Sequence, residues 1–409
     1  MKNIKYLLIG LTCMFSMSMH AKVHKVLYVI IDGVEANFLE QVHPSTIFDI
    51  AKTGRYGHAH CGGEVGQPNQ TVTISAVGYT NILTGTWMNK HHVLGNSNIQ
   101  TNYNYWNLFR IAKAQQKPLK TGVFTSWTDN RTLLVGEGRP DNGNLKVDYI
   151  VDGFDFDSIH YPHKPMDTQI YDIDSTICAK AADCVRKDAP DLSWVYLWYT
   201  DDAFHMKGFG DYSKFYLLKE DQQLKKIWDA IQYREKKYDE DWMIIVTTDH
   251  GREQRGFDHG GQSETERGIW MSTNIKDVNN HFTSQDLSQV DINPTICRWL
   301  DLKVPQNVLW EQEGIPFVGQ VDIDHLRTRG YDDKVILTWK ALTSKGTADV
   351  YIATTNNFKD GKADQWIRLG SVPIIDGKFV ADLSKVPTSK FYKFVVATPN
   401  NHLSRWFLK

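Results

Sequence analysis

Residues 25–31, KVLYVII, form an apolar run that stops abruptly at Asp32-Gly33. Two further runs share this form. WVYLWY at 194–199 ends at Thr200-Asp201, and WMIIV at 242–246 ends at Thr247-Thr248-Asp249-His250. Runs that are apolar on both faces predict buried, mostly parallel strands. Helical patterns lie between them, most clearly at 212–238, YSKFYLLKEDQQLKKIWDAIQYREKKY. Strands alternating with helices predict an α/β fold, a three-layer α/β/α sandwich around a mostly parallel central sheet. In such sheets ligands sit beyond the carboxyl ends of the strands. Asp also favours loops and helix starts, so one such Asp would mean little, whereas three after three buried strands suggest convergence.

From about Tyr331 the texture changes. KVILTWKAL, ADVYIATT, DQWIRLGSV, GKFVADLS, FYKFVVATP and LSRWFLK are short, partly alternating runs punctuated by Gly, Asn, Asp, Ser and Pro. Closely spaced strands without helices predict a small C-terminal β-sandwich, and LTW at 337–339 resembles an early core strand of fibronectin III or immunoglobulin-like domains. The expected division is a signal peptide at 1–21, a catalytic domain at 22–325 and the β-sandwich domain at 326–409.

The 409 residues suffice for two domains. A net charge of −2 advertises no nucleic-acid-binding surface. The opening MKNIKYLLIGLTCMFSMSMHA has a positive start at Lys2 and Lys5, a short apolar stretch over Tyr6–Met17, and Ala21 before a cut. It reads as a secretory signal, too short for a membrane anchor, and places the protein in a periplasm or outside the cell. That leaves Cys61, Cys178, Cys184 and Cys297. None has the spacing of a zinc cluster. An oxidising compartment permits a Cys178–Cys184 bridge, but STICAKAADCVRK reads as helix, where positions six apart do not share a face, so the bridge stays open.

VTISAVGYTNILTG at 72–85 turns an extended segment into a helix at Ser75. A Ser there can cap the helix, or its hydroxyl can be a nucleophile beside N–H groups that hold a phosphate. Other pieces favour the second role in addition to the first. DDAFH puts Asp201 and His205 on one helical face. TTDHG puts Asp249 and His250 side by side, pointing to different sides. FDHGG adds His259 on a glycine-rich loop, and Asp with His suits zinc. Two divalent metals about 4 Å apart serve in-line phosphoryl displacement, and a metal activates an otherwise weak Ser hydroxyl. Surface solvation is the reading for Lys90, Arg252 and Arg255, with phosphate contact the alternative. His160 and His163 read as part of a surface insertion.

In order, these motifs resemble the alkaline phosphatase superfamily, most closely its type I phosphodiesterase/nucleotide pyrophosphatase branch, over about residues 24–300. VIIDG resembles the family's first metal-binding strand end. SAVGYTNILTGTWMNKHHVLGN keeps the family's spacing of Ser75, Thr84-Gly85, His91 and Asn96. The resemblance implies Ser75 as nucleophile, Asn96 as donor to a non-bridging oxygen, and a structural His91. It implies two zinc ions, one on Asp201, His205 and His259, the other on Asp32, Asp249 and His250. Diesterase relatives carry Thr followed by Phe-Pro-Asn, whereas Ser75 is followed by Ala-Val-Gly, as in monoester-cleaving relatives. No sulfatase-like Pro- and Arg-containing motif follows Ser75. The expected function is a phosphodiesterase or nucleotide pyrophosphatase on a small phosphate ester or diester. A phosphomonoesterase on the same scaffold and an inactive binding protein are the alternatives.

Overall fold

The computed structural model describes residues 22–409. The expected signal segment lies outside them. Fourteen strands follow in chain order. Those of the first unit are β1 (Val23–Ile31), β2 (Arg55–His60), β3 (Thr121–Thr125), β4 (Tyr149–Val151), β5 (Leu192–Leu197), β6 (Glu240–Thr247) and β7 (Gly268–Thr273). The second unit has β8 (Ile323–Tyr331), β9 (Lys334–Ala341), β10 (Thr347–Ala353), β11 (Ile367–Pro373), β12 (Lys378–Asp382), β13 (Phe391–Ala397) and β14 (His402–Leu408).

The first seven strands make one sheet in the order β2-β7-β6-β1-β5-β3-β4. The five strands from β6 to β4 are parallel, and β7 runs antiparallel to both β6 and β2. The apolar run of β1 explains its central place, because its alternate residues feed two cores. Val26, Tyr28 and Ile30 pack with the Ser75–Thr84 and Ile292–Trp299 helices on one face. Leu27, Val29 and Ile31 pack with the Ser45–Thr53, Gln169–Lys187 and Asp211–Lys237 helices on the other. A strand wetted on either face would waste roughly 1.5–3 kcal/mol for each large apolar side chain exposed.

The register aligns the carboxyl ends. Ile31 pairs with Leu197 and Ile30 with Thr247. Asp32, Thr200-Asp201 and Asp249 therefore leave the sheet along one edge. The middle run is shorter than its apolar stretch suggested. β5 ends at Leu197, and a helix begins at Tyr199. The buried Asp174 carboxylate accepts the Trp198 and Tyr199 N–H groups at 3.1 and 2.7 Å, which ends the strand and starts the helix that carries Asp201.

The last seven strands form two antiparallel sheets, β11-β10-β13-β14 and β12-β9-β8. Leu337, Trp339, Val350, Ile352, Phe394 and Val396 fill the core between them. Two buried polar joints tie this unit to the first. Lys393 on β13 pairs with Glu311 and Asp364. His281 lies between Asp291, at the start of the Ile292–Trp299 helix, and Asp324 on β8, at 2.8 and 2.9 Å. The four cysteines among the described residues are free, so the Cys178–Cys184 bridge does not form. Cys178 packs in the core while Cys184 is only partly covered. Among the described residues no helix is long and apolar enough to cross a membrane.

Burial alone would lower the pKa of His281, but the Asp291 and Asp324 carboxylates raise it to about 10 from 6.5. The imidazolium contribution is therefore complete below pH 6.5 and is lost as pH rises toward 10. At pH 6, His281→Gln should destabilise the fold by about 3–5 kcal/mol. The gap in Tm between the two proteins should close between pH 6.5 and 10 in thermal melts. A gap independent of pH would show that the charge plays no part.

Candidate active site

Three strand ends, one helix start and one loop build the site. β1 delivers Asp32, the helix after β5 delivers Asp201 and His205, and β6 delivers Asp249 and His250. Cross-links fix the strand ends to one another. Gly33 N–H donates to Asp249 Oδ1 at 3.0 Å, Val34 N–H to Thr248 Oγ1 at 3.0 Å, and Thr200 Oγ1 to the Asp32 carbonyl at 2.6 Å. Gly33 sits at φ +68°, and a Cβ there would overlap the Arg252 guanidinium and the Asp201 carboxylate. Only glycine lets the chain turn so close to both.

Donor atoms converge on His250 Nε2. Asp32 Oδ1 lies 3.4 Å from it, Asp249 Oδ2 3.3 Å and Ser75 Oγ 3.3 Å. The His259 ring stacks on His250 at 3.7 Å between centroids. His205 Nε2 is 3.2 Å from His259 Nε2 and 3.3 Å from Asp201 Oδ2. The structure thus brings together every expected ligand: Asp32, Asp201, His205, Asp249, His250 and His259. Two overlapping groups have the spacing of cation ligands, Asp32 with Asp249 and His250, and Asp201 with His250 and His259.

Two histidines are oriented for ligation. His250 Nδ1 lies 2.9 Å from the Gly251 carbonyl, and His259 Nδ1 lies 2.8 Å from the Thr73 carbonyl. A carbonyl only accepts, so each Nδ1 carries the proton and each Nε2 offers a lone pair. The carboxylates follow the same plan. Asp32 Oδ2 accepts the hydroxyls of Tyr79 and of Tyr196, the latter at 2.6 Å, while Oδ1 has no partner. Asp249 Oδ1 takes the Gly33 N–H, while Oδ2 has no partner. Asp201 Oδ1 pairs with the buried Arg252 guanidinium.

The site's charge is unbalanced. Burial, then the charges of Asp249 and Asp201, push Asp32 well up, and burial raises Asp249 to about 7. Burial also raises Asp201, but Arg252 and neighbouring imidazoles outweigh it and hold that carboxyl well below its ordinary range. Burial lowers both His250 and His259, while the hydrogen bond to Asp201 raises His205. Three carboxylates face one guanidinium in a dry cleft. Unpartnered oxygens and imidazole lone pairs at this spacing fit divalent cations.

Ser75 is placed differently from the expectation. Ile74, extended at φ −121° and ψ 145°, is the N-cap, and Ser75 is the first helical residue, so Ser75 does not cap its helix. Asn96 performs that service, its Oδ1 accepting the Ala76 N–H at 2.9 Å. The Ser75 hydroxyl is thereby left to face His250. Gly78, one turn on, lets the helix press on the strand end, since a Cβ there would come within 2.8 Å of the Asp249 carbonyl oxygen. The solvated readings of Arg252 and Lys90 fail, because both are wholly buried. Lys90 pairs with Glu313 at 3.0 Å and donates to the Glu311 carbonyl. Arg255 is exposed. His91 sits in the core, 2.7 Å from Asn81 Oδ1. His160 and His163 are exposed beside Asp157 and Asp167. Sequence reasoning missed Tyr79 and Tyr196. Tyr79 could have been found, because it stands one helical turn from Ser75 on the same face.

A protein-family model described as type I phosphodiesterase / nucleotide pyrophosphatase matches residues 26–265. Among solved structures, a 2-O GAG sulfatase aligns at 11% identity and TM-score 0.51, over 88% of this chain and 85% of its own. Murine ectonucleotide pyrophosphatase / phosphodiesterase 5 aligns at 14% identity and TM-score 0.46, over 69% of this chain and 97% of its own. Phosphonoacetate hydrolase from Sinorhizobium meliloti, in complex with phosphonoformate, aligns at 17% identity and TM-score 0.40, over 56% and 57%. A comparison with curated proteins by sequence finds no match.

Tyr79→Phe removes one of the two phenols that fix Asp32. It should weaken divalent-cation binding by about 10- to 100-fold with little change in the fold, as read by calorimetric zinc titration and circular dichroism. Unaltered affinity would show that Asp32 needs no such support.

Proposed function

The chain belongs to the type I phosphodiesterase/nucleotide pyrophosphatase family of the alkaline phosphatase superfamily and is a phosphoric ester hydrolase, and from that premise we propose that it is a secreted or periplasmic two-zinc phosphodiesterase or nucleotide pyrophosphatase with Ser75 as its nucleophile. The single observation that carries this reading is the convergence of Ser75 Oγ, Asp32 Oδ1 and Asp249 Oδ2 within 3.3–3.4 Å of His250 Nε2. Asp32, Asp249 and His250 would hold one zinc, and Asp201, His205 and His259 the other. When bound, the ions supply positive charge that lowers the pKa of a hydroxyl and offsets the anionic phosphorus centre.

The chain's own groups do the rest. The Ser75 hydroxyl gives up its proton to solvent as Oγ bonds to phosphorus, and the leaving alcohol or nucleotide oxygen departs with the electron pair of its broken bond and takes up a proton from solvent. Water oxygen then bonds to phosphorus and releases a proton, the phosphorus–Oγ bond breaks, and Oγ regains its proton. The N-terminus of the ten-residue Ser75–Thr84 helix favours negative charge beside Ser75. Because Asn96 Oδ1 is held by the Ala76 N–H, the amide NH2 is left to donate to a non-bridging oxygen. Residues 22–325 form the catalytic domain in this reading, and residues 326–409 form a fibronectin III/immunoglobulin-like sandwich that braces it.

Diesters fit better than monoesters. A monoester dianion calls for an additional cation near the phosphoryl group. Arg252 is committed to Gly33, Phe257 and Asp201, Lys90 is committed to Glu311 and Glu313, and Arg255 is exposed.

With zinc present, kcat/KM for bis(4-nitrophenyl) phosphate should exceed that for 4-nitrophenyl phosphate. Chelation should abolish both activities. Ser75→Ala should lower kcat about a thousandfold or more while zinc content and the melting curve stay as in the wild type. Undiminished hydrolysis by the variant would remove Ser75 from this role, and preference for the monoester would select the phosphomonoesterase.

A further inference from the structure

We infer that Arg252 makes the two cation positions unequal, so that the position on Asp32, Asp249 and His250 fills first and tightly, while the one on Asp201, His205 and His259 fills second and exchanges. This rests on the two-metal reading above and concerns which position is the weaker.

The inference comes from what holds the outer oxygen of each carboxylate. Asp32 Oδ2 is held by two phenols and Asp249 Oδ1 by a backbone amide. These donors are neutral, so no cation of the chain itself offsets either carboxylate. Asp201 Oδ1 is held by a guanidinium. That carboxylate is already paired, so its position offers an incoming dication little uncompensated charge, whereas the other offers two carboxyl groups that no guanidinium of the chain offsets. Like charge a few ångströms away in a low-dielectric pocket is costly.

Arg252 cannot swing aside to relieve this. Its Nε donates to the Gly33 carbonyl at 2.8 Å, its Nη1 to the Phe257 carbonyl at 2.9 Å, and its Nη2 to the Asp201 carbonyl at 3.3 Å. The guanidinium also stacks over Phe204, 4.9 Å from the ring centroid. It is wholly buried, and it braces the turn after Asp32, the start of the Asp201 helix and the loop before His259. Water access points the same way. The Asp32, Asp249 and His250 side chains are at most 2% exposed, but His205 is 38% exposed. The position with the weaker charge is also the one that solvent reaches, which favours exchange there.

The test uses the full chain stripped by a chelator and titrated with zinc by calorimetry and with cobalt by visible absorption. The wild type should bind two ions in steps separated by about 100-fold or more. Arg252→Met, which keeps bulk and drops charge, should tighten the second step at least about tenfold, while Arg252→Lys should keep the steps apart. Two wild-type steps of equal affinity would overturn the inference, as would a second step that Arg252→Met leaves unchanged or weakens. Should Arg252→Met fail to fold, His205→Ala and Asp249→Asn decide. His205→Ala should remove only the weaker step and Asp249→Asn the tighter one, and the reverse assignment overturns the claim. A wild-type chain that binds no divalent cation would instead overturn the proposed function itself.

Discussion

Like charges held in a dry cleft govern this molecule. Asp32, Asp201 and Asp249 are all buried at one edge of the central sheet, and a single guanidinium stands among them. Burying uncompensated carboxylates is costly, so either they hold protons or something else supplies the opposite charge. The surroundings fit that demand. Each carboxylate has one oxygen tied by a protein donor. Asp32 and Asp249 leave the other oxygen beside His250, and Asp201 leaves its other oxygen beside His205. Each tie fixes an orientation, so the chain's own contacts organise the site.

The placement of Ser75 depends on the same construction. The helix that begins at Ser75 is buried along its whole length, so its place is set by packing on every side. Gly78 lets it touch the Asp249 strand end, Tyr79 bonds to Asp32, and Asn96 takes the Ala76 N–H in the first turn. Its far end is held as well. Glu313 N–H donates to the Gly85 carbonyl at 2.8 Å, and Glu313 also pairs with buried Lys90. Lys393 from the C-terminal sheets holds Glu311 two residues earlier. The second unit thus reaches the serine through one ion network and one hydrogen bond. A buried network of this kind contributes little net stability, but losing one partner strands the others, and so it enforces one arrangement.

The fold is shared with a sulfatase at 11% identity, so the scaffold alone does not choose among phosphorus and sulfur esters. What this chain brings to its site is local: a Ser-Ala-Val-Gly start to the helix, two phenols on Asp32 and an arginine directly after Asp249-His250-Gly251. The arginine is the least expected of these, because a fixed cation beside cation ligands opposes the ions they would hold.

The sequence by itself determined the layout. Runs apolar on both faces pointed to interior strands, the patterned segments between them to helices covering the sheet, and an acidic residue at each run's end to the carboxyl edge. The punctuated runs after Tyr331 similarly announced the C-terminal antiparallel sheets. Tertiary structure alone decided what each polar residue does there. Ser75 read as a cap because Ser caps helices locally, yet Asn96, twenty-one residues away, supplied the cap and freed the hydroxyl. Arg252 and Lys90 read as solvated because charged side chains usually are, yet partners from distant segments made their burial tolerable. The physical reason is that apolar periodicity is a local signal, imposed by the repeat of the element itself. Satisfaction of a buried charge or hydrogen bond is a pairing between remote residues, which only the folded chain brings within reach.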